Sequence, residues 1–159
     1  MTAEPVVRPG ARVLLVDDRD RLLLFRHIND TTGAPFWCPP GGAVEAGEDA
    51  AAAAVREVRE ETGADVVLGP EVWHRRHVVA WGGVTYDCRE RWFLARVPAY
   101  EVDMSGCTPA EGLDITAHRW WPVAELAAAT ERLVPADLAT LLPALLREGP
   151  PPAPVEVGV

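Results

Sequence analysis

The chain has 159 residues, near the size of one compact domain, and its 48% hydrophobic content suffices for a sizeable core. Fifteen Lys plus Arg residues against 24 Asp plus Glu leave a formal net charge of -9, which disfavours nonspecific grip on the phosphate backbone of long nucleic acid. No stretch approaches the roughly 18 consecutive apolar residues of a membrane span, and MTAEPVVRPG lacks a basic region followed by an apolar block, so no membrane partner and a cytoplasmic location are expected.

In chain order, Ala11 to Val16 and Arg21 to His27 are Val/Leu-rich runs separated by the polar stretch Asp17 to Asp20, which predicts a hairpin. Asn29 to Pro35 reads as a loop, and Phe36-Trp37-Cys38 leads into Pro39-Pro40-Gly41-Gly42, which no helix interior tolerates. Asp49 to Thr62, rich in Ala, Val, Glu and Arg, predicts a helix with Gly63 as its C-terminal stop. Ala51, Ala54, Val55 and Val58 form its apolar stripe.

Glu71 to Trp81 and Val84 to Val97 are β-rich runs joined at Gly82-Gly83, a strong hairpin signal. A polar loop runs from about Pro98 to Thr116, then a short strand from Ala117 to Trp121, and Pro122 begins a helix extending to Ala129. The final helix, about Pro135 to Arg147, aligns Leu138, Leu141, Leu142, Leu145 and Leu146, with Pro143 expected to kink or shorten it. Mixed strands with helices between and after them point to an α+β or layered α/β/α arrangement. We expect one domain over 1–148, followed by a Pro-rich disordered tail over 149–159.

The chemistry concentrates in GGAVEAGEDAAAAAVREVREETGA, Gly41 to Ala64. On a helix, Glu57, Glu60 and Glu61 stand within one turn at i, i+3 and i+4. Such like charges oppose one another by roughly 0.2–0.5 kcal/mol per pair, a cost that a bound cation removes. Carboxylate oxygens are the hard ligands that Mg²⁺ and Mn²⁺ prefer. The preceding Pro/Gly segment brings backbone groups close to whatever the carboxylates bind. The bland alternative is a solvated helix face with Glu paired to Arg56 and Arg59.

These residues resemble the Nudix box, in which Gly is followed after five residues by Glu, then after seven by Arg-Glu, an aliphatic residue, any residue, Glu-Glu, any residue, Gly and an aliphatic residue. Here the nine constrained positions are Gly42, Glu48, Arg56, Glu57, Val58, Glu60, Glu61, Gly63 and Ala64, with Ala64 smaller than the usual aliphatic. The resemblance extends over about residues 8 to 147 and implies the Nudix fold, an α/β/α sandwich around a mixed β-sheet. It implies hydrolysis of a nucleoside diphosphate linked to another moiety, a small-molecule nucleotide substrate and Mg²⁺ or Mn²⁺ as cofactor.

By that resemblance Glu57, Glu60 and Glu61 are metal ligands, joined by the Gly41 carbonyl. Gly42 and Gly63 are structural, as are Arg56 and Glu48, which tie loop to helix through a fork that Lys does not reproduce. Metal-activated water attacks phosphorus, and its proton acceptor is Glu60, Glu61 or an acidic residue of a downstream loop. Glu111 is the candidate there, with Glu101 and Asp114 in the same loop. The substrate is open among ordinary or oxidised nucleoside triphosphates, ADP-ribose or nucleotide sugars, and dinucleoside polyphosphates. The window Val79 to Gly82 lacks the Pro or Tyr that marks some subgroups, which weakens the ADP-ribose and diadenosine readings.

Phe36, Trp37 and Trp81 are candidate substrate-stacking residues, set against the ordinary role of aromatics in cores, and Arg26 is a candidate phosphate contact, set against a solvated strand charge. His27, His74, His77 and His118 show no joint ligand spacing and read as strand residues. Cys38, Cys88 and Cys107 read as reduced thiols, with Cys38 a packing residue. Homodimer contact through the first strands is compatible with the sequence. A Nudix-fold sensor or interaction module without turnover is the competing function, because fold does not fix function; intact Glu57, Glu60 and Glu61 argue for catalysis.

Overall fold

A computed structural model describes residues 3–107 and 115–159. The elements are β1 (Val6–Asp17), β2 (Arg21–Ile28), β3 (Pro35–Cys38), β4 (Gly41–Ala43), α1 (Ala50–Thr62), β5 (Glu71–Trp81), β6 (Val84–Val97), β7 (Ile115–Pro122), a 3-10 turn (Val123–Ala128), β8 (Arg132–Leu133), α2 (Leu138–Glu148) and β9 (Val155–Val157). Among the described residues the strands form one curled mixed sheet in the order β8-β3-β2-β1-β6-β5-β9, with β4 also on β1 and β7 also on β2. β1 runs parallel to β6 along its whole length, while β5 and β6 are antiparallel.

The sheet is apolar on both faces because strand residues alternate sides. Ala11, Val13 and Leu15 of β1 join Leu23 and Phe25 of β2 under Ala50, Ala53, Ala54 and Val58 of α1. Leu14 and Val16 join Leu22 and Leu24 on the opposite face, with Trp73, Trp92 and Leu138, Leu142 and Leu145 of α2. Each fully buried Leu contributes roughly 1.5–3 kcal/mol through removal from water. The result is the expected α/β/α sandwich.

The first hairpin is locked at its turn, where the buried Asp17 carboxylate accepts from the Arg19 and Arg21 N–H groups and from Arg21 Nε at 2.8–3.0 Å. Asp49 caps α1 by accepting the Ala52 N–H at 2.7 Å, and Gly63 ends it at φ 81° with its N–H donating to the Arg59 carbonyl. That φ lies in the left-handed region, which glycine enters without steric cost.

Several expectations need correction. The buried stripe of α1 is Ala50, Ala53, Ala54 and Val58; Ala51 is exposed and Val55 only half-buried. The i, i+4 row begun by Ala53 continues into Glu57 and Glu61, so these two carboxylates sit on the buried side of α1. Pro122 to Ala129 forms a 3-10 turn rather than an α-helix. α2 starts at Leu138, where the Leu138 N–H donates to the Pro135 carbonyl, and Pro143 lies within it.

Residues 149–159, expected to be disordered, carry β9, which pairs in parallel with Trp73 to Arg75 of β5. Val157 is buried in the α2-side core, and that burial outweighs the extended, Pro-rich approach to it. Among the described residues Cys38, Cys88 and Cys107 form no disulfide, and burial pushes the Cys38 thiol up to about 11, as suits an inert packing residue.

Candidate active site

β1 and β2 pair only beside their turn, at Val16 and Leu22, and diverge beyond it. β4 fills one side of the opening by pairing Gly10 to Arg12 with Ala43 to Gly41, and Val13 N–H donates to the Pro40 carbonyl at 2.9 Å. The divergence leaves a cleft of about 430 Å³. Its lining includes Glu57, Glu61, Gly41 and Gly42, the stacked His27 and Phe36, and Arg8, Arg12 and Trp81.

The Pro/Gly segment fits the carboxylates by lacking side chains. A Cβ on Gly42 would fall 2.5 Å from Glu57 Oε1, and one on Gly41 would run into the Ala11 carbonyl and Arg12. Gly41 N–H donates to Glu61 Oε1 at 3.2 Å. Glu57 and Glu61 are each only 4% exposed, so both carboxyls are almost wholly removed from water. Burial raises the Glu61 carboxyl well above its usual range; Arg12 pulls against that shift, Glu57 adds to it, and the Gly41 N–H opposes it. Two buried acids side by side cannot both ionise cheaply without a positive partner.

Arg56 organises the surroundings. Its Nε and Nη2 grip Glu48 at 3.1 and 2.7 Å, Nη2 also donates to the Ala43 carbonyl at 3.0 Å, and Nη1 reaches Glu57 at 3.0 Å and Glu60 at 3.2 Å. One planar guanidinium thereby fixes loop, helix and two of the three glutamates, a task that depends on its multiple divergent donors. Glu60 is half-buried against Arg56 and does not line the cleft. Among the described residues no three His, Cys, Asp or Glu side chains gather closely enough to enclose a cation by themselves.

The expected substrate residues divide between two places. Phe36 and Trp81 line the cleft, and Phe36 stacks on His27 with ring centroids 5.2 Å apart. Burial, with help from Arg12, pushes His27 down to about 4, so this stack is neutral at neutral pH. Trp37 and Arg26 lie elsewhere. Trp37 packs edge-on against Trp121 in the α2-side core and donates through Nε1 to Glu131, while Arg26 holds the same Glu131 through Nε and Nη2. Glu111 and Asp114 fall outside the described residues. Glu101 is exposed and borders a different groove, with Arg19, Arg21, Tyr100 and Trp120.

Sequence reasoning missed Arg8, Arg12 and the lining role of His27. Arg8 lies over the rings of Trp81 and Tyr86 at 5.4 and 5.6 Å. Arg12 donates from Nε to Glu90 at 3.0 Å and from Nη1 to the Pro39 carbonyl at 3.1 Å. The available signal for Arg12 was a charge in an apolar strand, on the same side as Leu14 and Val16.

A family model described as NUDIX domain matches residues 6–144. An RNA pyrophosphohydrolase from Roseobacter denitrificans is 31% identical over 150 residues, covering 85% of this chain and 89% of the relative. One from Rhodospirillum rubrum is 30% identical over 133 residues, covering 76% of each chain. Among solved structures, a MutT protein from Methanosarcina mazei Go1 superposes with a TM-score of 0.68 at 21% identity, covering 92% of this chain and 98% of that one. The match over nearly the whole sheet, together with the intact loop and helix around Arg56, makes this chain a member of the NUDIX domain family and a Nudix pyrophosphohydrolase.

Proposed function

We propose that the chain hydrolyses a pyrophosphate linkage in a nucleotide whose phosphates enter the cleft over Glu57 and Glu61, with a divalent cation held there. The observation that carries this reading is the buried pair itself: two nearly buried carboxyls lining one cleft, with Glu61 held well above its usual range by burial. Mg²⁺ is usually bound by one or two carboxylates, waters and substrate phosphates, so Glu57 and Glu61 with the Gly41 carbonyl are a fitting donor set. Glu60, held by Arg56 at 3.2 Å, would join that set only on leaving this partner. Mg²⁺ or Mn²⁺, when bound, neutralises charge on the phosphate oxygens and makes a water more acidic.

The protein residues do the rest. Arg56 and Glu48 hold α1 against the glycine loop, so that the carboxylates keep their spacing while substrate exchanges. The neutral His27–Phe36 stack and Trp81 offer flat apolar faces for a nucleobase. Glu60, Glu61 and Glu111 remain the candidates to accept the water proton.

Relatives named RNA pyrophosphohydrolase favour RNA as the bearer of the pyrophosphate linkage, and one named a putative 8-oxo-dGTP diphosphatase favours a free nucleotide. The charge of -9 favours an enzyme that grips the terminal nucleotide and makes few contacts along a chain. The test supplies Mg²⁺ or Mn²⁺ with nucleoside triphosphates, nucleotide sugars, dinucleoside polyphosphates and a 5′-triphosphorylated oligonucleotide, and follows phosphate products. Turnover that Glu61→Gln lowers by on the order of 10²–10³, the scale for losing one group that stabilises transition-state charge, supports the reading. No turnover of any substrate, or full turnover by Glu61→Gln, overturns it.

A further inference from the structure

Arg12 belongs to a buried charge network that runs from the cleft to the C-terminal strand. Glu90, 7% exposed, accepts Arg12 Nε through one oxygen and Arg75 Nη1 through the other, at 3.0 and 2.9 Å. Arg75, 4% exposed, also donates from Nε to the Gly158 carbonyl at 3.2 Å and meets His77 Nδ1 at 2.8 Å. The register explains the gathering: Arg75 pairs with Glu90 across β5 and β6, and Gly10, two residues before Arg12, pairs with Glu90 across β1 and β6. All three charged side chains share the face that Leu14, Trp73 and Trp92 occupy one step along their strands.

Two guanidiniums meet one carboxylate in this network, and the charge of Arg12 also reaches Glu61 across the cleft, whose carboxyl it pulls down. Glu90 and the Pro39 carbonyl hold two donor atoms of Arg12, and among the described residues no hydrogen bond reaches Nη2. A half-buried arginine held at two donor atoms has lost much of its rotamer freedom before any ligand arrives, which favours strong phosphate recognition.

We propose that Arg12 is a phosphate ligand of the cleft and that Glu90 and Arg75, buttressed by the Gly158 carbonyl of the C-terminal strand, are positioning residues that aim it. This rests on the reading that phosphates enter over Glu57 and Glu61. It also gives residues 155–158, which lie beyond the family match, a part in substrate affinity.

The test is isothermal titration of the full chain with inorganic tripolyphosphate and Mg²⁺, a probe that needs no knowledge of the base. Arg12→Gln should weaken binding roughly tenfold or more, as befits loss of a charge-assisted contact. Arg12→Lys, which keeps the charge and loses the fork, should recover only part of it. Glu90→Asp keeps the buried charge but withdraws the carboxylate, and should weaken binding by a similar factor. The Arg12→Gln/Glu90→Asp double variant should be no weaker than Arg12→Gln alone, because Glu90 acts through Arg12.

With the preferred substrate, Arg12→Gln and Glu90→Asp should raise KM with kcat within about threefold, the pattern of lost uniform binding. Wild-type protein that fails to bind tripolyphosphate, Arg12→Gln that binds as wild type, or additive losses in the double variant overturn the proposal. Failure of the metal-site reading is separate, since it appears as Glu61→Gln retaining turnover whatever Arg12 does.

Discussion

Two arginine forks flank the cleft and are built in different ways. Arg56 draws its partners from Ala43, Glu48, Glu57 and Glu60, all within one loop and the helix that follows. Arg12 draws its own from Pro39 and from Glu90, 78 residues away, with Arg75 behind it. The first assembles whenever α1 and its loop form; the second exists only once β1, β5 and β6 are in register. The difference separates what holds the carboxylates from what we propose holds the phosphates, and it sets different expectations for breaking each fork.

The largest effect belongs to the local fork. Arg56→Ala leaves Glu48, Glu57 and Glu60 without their shared counter-charge. Breaking a buried pair costs 3–5 kcal/mol, and discounting for the roughly quarter-exposed guanidinium leaves about 2 kcal/mol, or ~6 °C in thermal midpoint for a domain of this size. Turnover should fall with it, since Glu57 loses its orientation. Calorimetry with parallel kinetics checks this, and an Arg56→Ala protein as stable and as active as wild type would dissolve the distinction between the forks.

Gly42→Ala probes the same region without touching charge. The added methyl would need to displace Glu57 Oε1 from 2.5 Å, and we expect roughly a tenfold loss in kcat. Folding should be less affected, because a carboxylate end can shift where backbone cannot. Unchanged kcat would show that Glu57 is not held where its function requires.

The smallest effect concerns acid stability and the non-local fork. Burial alone would raise the Glu90 carboxyl, but Arg12 and Arg75 reverse this and hold it below its usual range. A lowered carboxyl stabilises the fold above its unfolded value of about 4.5, and that contribution is lost as pH falls through the folded value. Urea unfolding of Glu90→Gln from pH 6 to pH 3 should therefore show a shallower acid loss than wild type. Parallel curves would remove Glu90 from the acid-sensitive groups.

The same contrast explains what the sequence made legible. The helix Ala50–Thr62, its Gly63 stop and the Glu48–Arg56 tie are local, and spacing within Gly42 to Ala64 encodes them. The Gly82-Gly83 hairpin is local too and has the expected bounds.

Sidedness was harder. Phe36 and Trp37 look alike in the sequence, yet neighbours on a strand face opposite ways: Phe36 pairs with His27 at the cleft, while Trp37 pairs with Arg26 on the other face. Only the strand formed by residues 35–38 separates them, and four residues followed by a Pro-Pro pair carry little strand signal. β9 escaped notice for a similar reason, since its pairing with Trp73 to Arg75 depends on a partner edge some 80 residues earlier. The charged row of Arg12, Arg75 and Glu90 is visible only after three strands are aligned.

In the proposed site Glu57 and Glu61 together hold a divalent cation. Titration of Mn²⁺ into nucleotide-free protein, followed by the loss of the free-ion electron paramagnetic resonance signal, tests it directly. One bound Mn²⁺ is expected in wild type and in Arg12→Gln, with its loss or severe weakening in Glu57→Gln and Glu61→Gln. Equal Mn²⁺ binding by wild type and by both glutamate variants would contradict it.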